Sequence, residues 1–552
     1  MNTRIIIKKE KVNVMMKLLC AAFFTLHSSL FTSCSDWDDH YVEPENQVSD
    51  GLTMFQELQK HTELTDFSEV LSKTKLLKQH HKTAVSYADQ LNGSQSFTVF
   101  APVNGTFDKE SLIKQLSTDS GDSTVIRSFV GNHLSYGITS STSKTSELFL
   151  LNTKRATIEG GKVLGTPIVA GGENISVKGG ILHILERPLP YRHNLYEALL
   201  NDERYAALGQ LINSYDEDEF SPSKSIAGDM VDGEQLYVDS VFDEKNVLLD
   251  RVGQIAVEDS SFIMVVPTAT EWDRVWQEAL TYYRFNPTLD GADSLQRLSA
   301  ARALLSDAIF SNRIQSSPSD SLKTYDYDRK YPQYHVFHKP FEEGGILHGA
   351  VATECSNGTL YTAEKWPFTP QTTYQREIKI EGEKAEVMSY KLCTYHNRQH
   401  LADSVSENSY LDILYDQSTK DWNITFKLQD ILSGTYDVCV ILLPLTVYDP
   451  SVQLKSTKFT AEINYIDAKG NAVTYKCLNK DGKKDFLNDP ARVDTLVLAE
   501  DFEFPVCNYD QNNEKSRISL TLKTDIIPSE SKKYSREVFL DCIYLRPKES
   551  KK

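Results

Sequence analysis

No stretch of this sequence beyond its first 33 residues is long and apolar enough to cross a bilayer as a helix, which takes roughly 20 residues. Positive charge is also in short supply. The chain has 59 Lys and Arg against 77 Asp and Glu, a formal net charge of −18. Neutralising phosphates needs a concentrated basic surface, so nucleic acid is excluded as a partner. Paired cysteines are absent too: after Cys20 and Cys34, the remaining Cys355, Cys393, Cys439, Cys477, Cys507 and Cys542 contain no Cys-x-x-Cys, which removes the usual zinc and thioredoxin-like readings. Cys439 and Cys542 lie in strand-like runs, where a buried thiol is at least as good a reading as a bridge. A Gly-flanked serine elbow, a phosphate-cradling Gly-rich loop and a His-Glu-x-x-His helix are all missing. The chain is therefore expected to be non-catalytic, with no cofactor and no metal. Paired carboxylates of the glycosidase kind depend on separation in space and stay open.

What is present points to a large folded protein. At 552 residues, with 40% hydrophobic residues and 10% aromatics, the chain is long enough for about three or four cores. Residues 1–33 read as an export signal peptide: Arg4, Lys8, Lys9, Lys11 and Lys17 make a basic start, and Leu18 to Leu26 make an apolar run too short to span. The run leads to Phe31-Thr32-Ser33-Cys34. Small residues before a cysteine resemble the lipobox at which a lipoprotein is cut, although Phe31 stands where Leu is commoner. The resemblance implies acylation of Cys34 and an outer-membrane anchor, since each buried methylene contributes about 0.8 kcal/mol. Ser35, Asp36, Asp38 and Asp39 follow around Trp37. That acidic stretch resembles the surface-export signal of Bacteroidetes lipoproteins and implies display towards the exterior. Residues 34–50 are polar and acidic without hydrophobic period, as a flexible tether would be.

From Gly51 onward, Met54, Phe55, Leu58, Leu64, Phe67, Val70 and Leu71 recur at three- and four-residue steps, which predicts two short amphipathic helices. Phe97-Thr98-Val99-Phe100-Ala101-Pro102-Val103-Asn104 then reads as a buried strand ended by proline, with a helix starting near Asp108. This segment resembles the first signature of fasciclin domains. Val130-Gly131-Asn132-His133-Leu134 resembles the central histidine motif, and Asn174 to Pro190, with Gly179-Gly180-Ile181-Leu182-His183-Ile184, resembles the closing signature. Residues 51–190 are thus identified as a fasciclin-like domain, in which the resemblance gives His133 and His183 buried structural hydrogen bonds.

A second copy follows over residues 191–369. Asn194-Leu195-Tyr196 opens it, Ser261 to Thr268 stands for the first signature and Cys355 to Pro367 for the last. The spacing between matching positions grows from about 141 to about 178 residues, which places insertions near 214–255 and 315–340. Such insertions are expected as surface loops, where recognition often resides. Leu304 to Phe310 stands where the histidine motif should be, without an equivalent of His133.

Over residues 370–548 helical periodicity gives way to regularly spaced β runs, among them 410–415, 422–428, 436–443, 458–465, 494–500, 517–523 and 538–545. These predict a β-sandwich resembling galactose-binding-like jelly rolls. The expected fold class is α+β: two tandem fasciclin-like domains followed by an all-β jelly-roll-like sandwich.

Candidate ligand-binding residues are the aromatics Trp366, Tyr374 and Trp422, because sugar rings stack on exposed aromatic faces. Trp272 and Trp276, four apart on a helix, suit the core better. His80-His81, His335 with His338, and His396 with His400 could each supply two metal ligands, but a pair is not a site without convergent carboxylates, so solvated or capping roles are expected, and the acidic run Asp216 to Glu219 lacks the alternation of a calcium loop. The whole resembles Bacteroidetes fasciclin-domain surface lipoproteins of the kind associated with SusC/SusD-type importers. That resemblance implies a non-catalytic surface protein making protein or glycan contacts, as an accessory subunit of such an importer that handles glycan or peptide. The alternatives are a carbohydrate-binding protein acting through the sandwich and a cell-adhesion protein.

Overall fold

The computed structural model describes residues 51–548 apart from 79–80, 143, 224–225, 232–233, 240–241, 312–319, 330–331 and 401–403. Cys34, Ser35, Asp36, Asp38, Asp39 and His80 lie outside the described residues. Two compact units meet in sequence between Tyr191 and Arg192.

The first unit opens with helices α1 (Met54–Lys60) and α2 (Thr65–Lys73). Thr53 and Gln56 form a reciprocal capping box that satisfies two orphan N–H groups at the start of α1. All seven apolar residues of the three- and four-step pattern are buried. They cover one face of a four-stranded sheet in the order β2-β1-β4-β3, made of β1 (Phe97–Pro102), β2 (Leu134–Tyr136), β3 (Ile175–Val177) and β4 (Gly180–Leu185). β1 and β4 run parallel, Phe97 opposite Gly180 and Pro102 opposite Leu185. Both are buried along their whole length, as central parallel strands are, which explains their unbroken apolar runs. His133 lies just before β2 and is 1% exposed. Its Nδ1 lies 2.7 Å from the Phe129 carbonyl, and its Nε2 accepts a hydrogen bond from the Leu189 amide at 2.9 Å.

The second unit repeats this plan. Helix α3 (Leu195–Asn201) starts with another capping box, Asn194 with Glu197, and is followed by α4 (Ala206–Asn213). The sheet, in the order β6-β5-β8-β7, contains β5 (Phe262–Pro267), β6 (Ile309–Ser311), β7 (Val351–Cys355) and β8 (Gly358–Ala363). β5 and β8 pair parallel from Phe262–Gly358 to Pro267–Ala363. Between β5 and β6 run α5 (Ala269–Tyr282), which buries Trp272 and Trp276 stacked at 5.8 Å, and α6 (Ala292–Ser306). The Ala308 carbonyl accepts from Val265 at 2.9 Å as the His133 carbonyl accepts from Phe100 at 2.9 Å, so Ala308 holds the histidine's place.

The insertions are more ordered than surface loops. Asp216–Phe220 pairs with Phe242–Asn246, and Ile226–Val231 with Glu234–Asp239, so the acidic run Asp216 to Glu219 is a strand of a β-ribbon. Alternating pairing on two facing segments satisfies backbone groups that a loop would leave to water. In the other insertion Ser321–Lys323 pairs with Val336–His338.

The sandwich has two antiparallel sheets. One has the order β11-β12-β19-β14-β17, with β9 (Ile378–Glu381) also on β19; it contains β11 (Cys393–Gln399), β12 (Ser409–Tyr415), β14 (Gly434–Leu443), β17 (Asp494–Phe504) and β19 (Val538–Pro547). The other has the order β10-β13-β18-β15-β16, from β10 (Val387–Lys391), β13 (Asn423–Leu428), β15 (Lys458–Ile466), β16 (Ala472–Lys476) and β18 (Ile518–Thr524). Inward residues of both sheets, including Ile413, Phe426, Val440, Ile463, Leu520 and Ile543, make one apolar core. Cys355, Cys393, Cys439, Cys477, Cys507 and Cys542 are buried free thiols. The sandwich is continuous with the second α+β domain: Leu432 and Cys507 join that domain's core, and the Ser433 and Cys507 amides donate to the Tyr282 and Arg284 carbonyls at 2.9 and 2.6 Å. Among the described residues no helix is long and apolar enough to cross a membrane.

Candidate functional site

Strands β12, β14 and β18 end, and β13, β15 and β19 begin, at one end of the sandwich. Their connections, residues 416–422, 444–457 and 525–537, enclose a groove of about 460 Å³. That volume lies in the range of small-molecule sites. Arg536, 5% exposed, ties the loops into a fixed floor. Its Nη1 donates to the Ser418 carbonyl at 2.9 Å, its Nη2 donates to the Ile526 carbonyl, and its Nε lies 3.5 Å from Asp421 Oδ1. The Asp421 carboxylate also accepts from the Ile526 amide at 3.1 Å. The 444–457 connection is joined to them by the Ser535 amide donating to the Ser456 carbonyl at 3.0 Å and Thr457 Oγ1 donating to the Glu537 carbonyl at 2.7 Å. A floor held by side-chain-to-backbone bonds across three loops is pre-organised, which lowers the ordering cost of binding.

The lining combines an aromatic face with hydroxyls and charge. Tyr415 at the end of β12 is 41% exposed, and Tyr534 stands on the facing loop. Ser418, Thr419, Ser531 and Ser535 offer hydroxyls, while Lys455 and Glu537 offer charge. Burial, with a smaller push from Asp412, raises the pKa of the Glu537 carboxyl, against the pull of Arg398. Glu537 is the one carboxylate lining the groove among the described residues. Hydrolysis by two carboxylates flanking a glycosidic bond would need a second. Among the described residues, no group of three or more His, Cys, Asp or Glu side chains is placed to hold a metal.

The aromatics expected to bind ligand do not form this site. Trp422 is fully buried: its indole N–H donates to the Arg536 carbonyl at 2.6 Å, so it supports the groove from below and presents no face to a sugar. Trp366, 8% exposed, packs on Phe368 with ring centres 5.0 Å apart. Tyr374 packs against Tyr282 and Tyr283, and burial holds its hydroxyl well above the ordinary phenol range. All three are candidates in sequence because sugar rings stack on exposed aromatic faces. Instead Trp366 and Tyr374 pack into the interior of the second α+β domain and Trp422 into the sandwich core, where a largely apolar ring gains more from burial. Tyr415 and Tyr534 were the aromatics to find, but nothing in the local pattern separates a strand-end tyrosine from the many others.

No protein-family model and no curated protein sequence matches this chain. Some solved structures resemble it at low similarity. A FAS1 domain pair from the insect cell adhesion molecule fasciclin I is 11% identical over 58% of this chain and 97% of that chain, with a TM-score of 0.20. A family 35 carbohydrate-binding module from Clostridium thermocellum is 10% identical over 31% of this chain and 97% of that chain, with a TM-score of 0.18. The CBM22-1-GH10 modules of the Clostridium thermocellum endo-1,4-β-D-xylanase 10B are 11% identical over 28% of this chain, with a TM-score of 0.19, and this chain spans 25% of that chain's length. Likenesses at these scores carry no argument for function.

Proposed function

We propose that this protein is a non-catalytic binding protein, held at the outer membrane by acyl chains on Cys34 and facing the exterior, that takes a glycan in the groove at the loop end of its sandwich. The groove carries the reading: an exposed Tyr415 face beside four hydroxyl side chains and a half-buried carboxylate suits a ligand with apolar ring faces and many hydroxyls. The anchor is supported by the basic start, the short apolar run and the acidic residues after Cys34. The same N-terminal pattern supports a partner, a SusC/SusD-type importer to which this chain would be an accessory subunit.

A glycan array probed with the intact chain is expected to give defined hits that Tyr415→Ala weakens by about tenfold or more. Uniform silence of the array, or hits that survive both Tyr415→Ala and Glu537→Gln, would falsify the groove as the binding site. Pull-down from detergent-solubilised outer membrane is expected to recover the importer pair, and recovery of this protein alone removes that part of the reading. A cell-adhesion role is the second reading. It is favoured by Tyr136 and Phe149, both more than half exposed beside the Ser135–Leu150 bridge of the first unit, and it predicts cell attachment that persists when the groove is disabled.

A further inference from the structure

A second cavity, of about 90 Å³, lies within the second unit between the α+β domain and the sandwich. Arg251, Arg302, Ser306, Asp326 and His335 line it from the domain side, and Tyr509 from the sandwich. A volume of that size holds several waters or one small organic molecule. Its charges are unevenly paired. His335 takes up two of the carboxylates, Asp307 through Nδ1 and Asp328 through Nε2 at 3.0 Å. Asp326 accepts from Ser306 Oγ at 2.8 Å and lies 3.8 Å from Arg251 Nε. Arg302 is left over. Its Nη2 donates to the Val247 carbonyl at 3.3 Å, its buried Nε has no hydrogen-bond partner, and no carboxylate lies within 4 Å of it among the described residues.

An unmet guanidinium N–H in a half-buried site is costly unless something accepts from it. Burial, with a smaller push from the neighbouring Arg251, lowers the Arg302 pKa against the weaker pull of Tyr509, Asp510 and Tyr215. The planar guanidinium fork matches a carboxylate better than a point charge would. Asp326, held by Ser306, lines the same cavity and can accept from a hydroxyl.

We propose that this cavity binds a small hydroxy-carboxylate, its carboxylate on Arg302 and its hydroxyl on Asp326. The site shares no residue with the sandwich groove and does not depend on it. Calorimetric titration of the intact chain with glycerate is expected to give saturable binding, with glycerol, which lacks the carboxylate, and acetate, which lacks the hydroxyls, each weaker by at least about tenfold. Arg302→Gln is expected to lose at least about tenfold in glycerate affinity. Arg302→Lys, which keeps the charge and removes the fork, is expected to lose a similar factor while melting like the parent. Tyr534→Ala in the groove leaves glycerate binding unchanged, so failure of the groove reading and failure of this one are separable. Absence of glycerate binding, equal binding of glycerol, or parental affinity in both Arg302 variants overturns the proposal.

Discussion

Two histidines, one in each copy, are held in different charge states. His133 is neutral: burial drives its pKa down to about 4, only partly offset by the Phe129 carbonyl. An unfolded histidine titrates near 6.5, so the folded first unit resists a proton that its unfolded chain accepts between those values. Its stability is fully present above pH 6.5 and is lost as pH falls through about 4, by about 3 kcal/mol in all. In the second copy Ala308 replaces the histidine, and the residue before it, Asp307, instead receives His335 from an insertion. Burial alone would lower the His335 pKa, but the hydrogen bonds its ring donates to the Asp307 and Asp328 carboxylates outweigh it and hold the value at about 9. That raised value contributes stability present below pH 6.5 and lost as pH rises through about 9. Thermal melts from pH 4 to 9 are therefore expected to show the first unit weakening on the acid side and the second on the alkaline side. His335→Gln should flatten the alkaline loss, and an unchanged alkaline slope in that variant would remove the assignment.

At the scale of elements, the parallel strand pair is the device common to both copies, and a glycine at its closing strand makes the approach possible. A Cβ on Gly180 would stand 2.4 Å from the Phe97 carbonyl oxygen, and one on Gly358 would stand 2.0 Å from that of Phe262. These partners are the residues directly opposite in register. Gly180→Ala and Gly358→Ala are each expected to cost more than about 2 kcal/mol, because backbone rather than a flexible side chain must move. Urea denaturation monitored by tyrosine and tryptophan fluorescence would check this, and a loss under 1 kcal/mol in both variants would speak against it. Most of these elements were legible in sequence for a physical reason: fully buried strands and amphipathic helices must carry apolar residues at fixed periods. The edge strands β9, β10, β11 and β16 were not, since strands such as Ala472–Lys476 are largely exposed and need no apolar pattern.

For the whole molecule, the core of the second α+β domain runs into the sandwich through Leu432 and Cys507, whereas the described residues from Gly51 to Tyr191 form their own compact unit. Calorimetry of the intact chain is expected to resolve two transitions, one for the first unit and one for the second domain with its sandwich. Three separate transitions would contradict a shared core. The repeat and the class of each domain follow from sequence alone, because periodicity and short ordered motifs are written locally in the chain. Which aromatics face solvent was decided only in three dimensions. Trp422 is drawn under the groove by a bond to Arg536, more than a hundred residues away, while Tyr415 is left exposed where its strand ends. The Arg302 cavity likewise gathers Arg251, His335 and Tyr509 from distant segments. Exposure and convergence are properties of packing between such segments, and no local pattern encodes them.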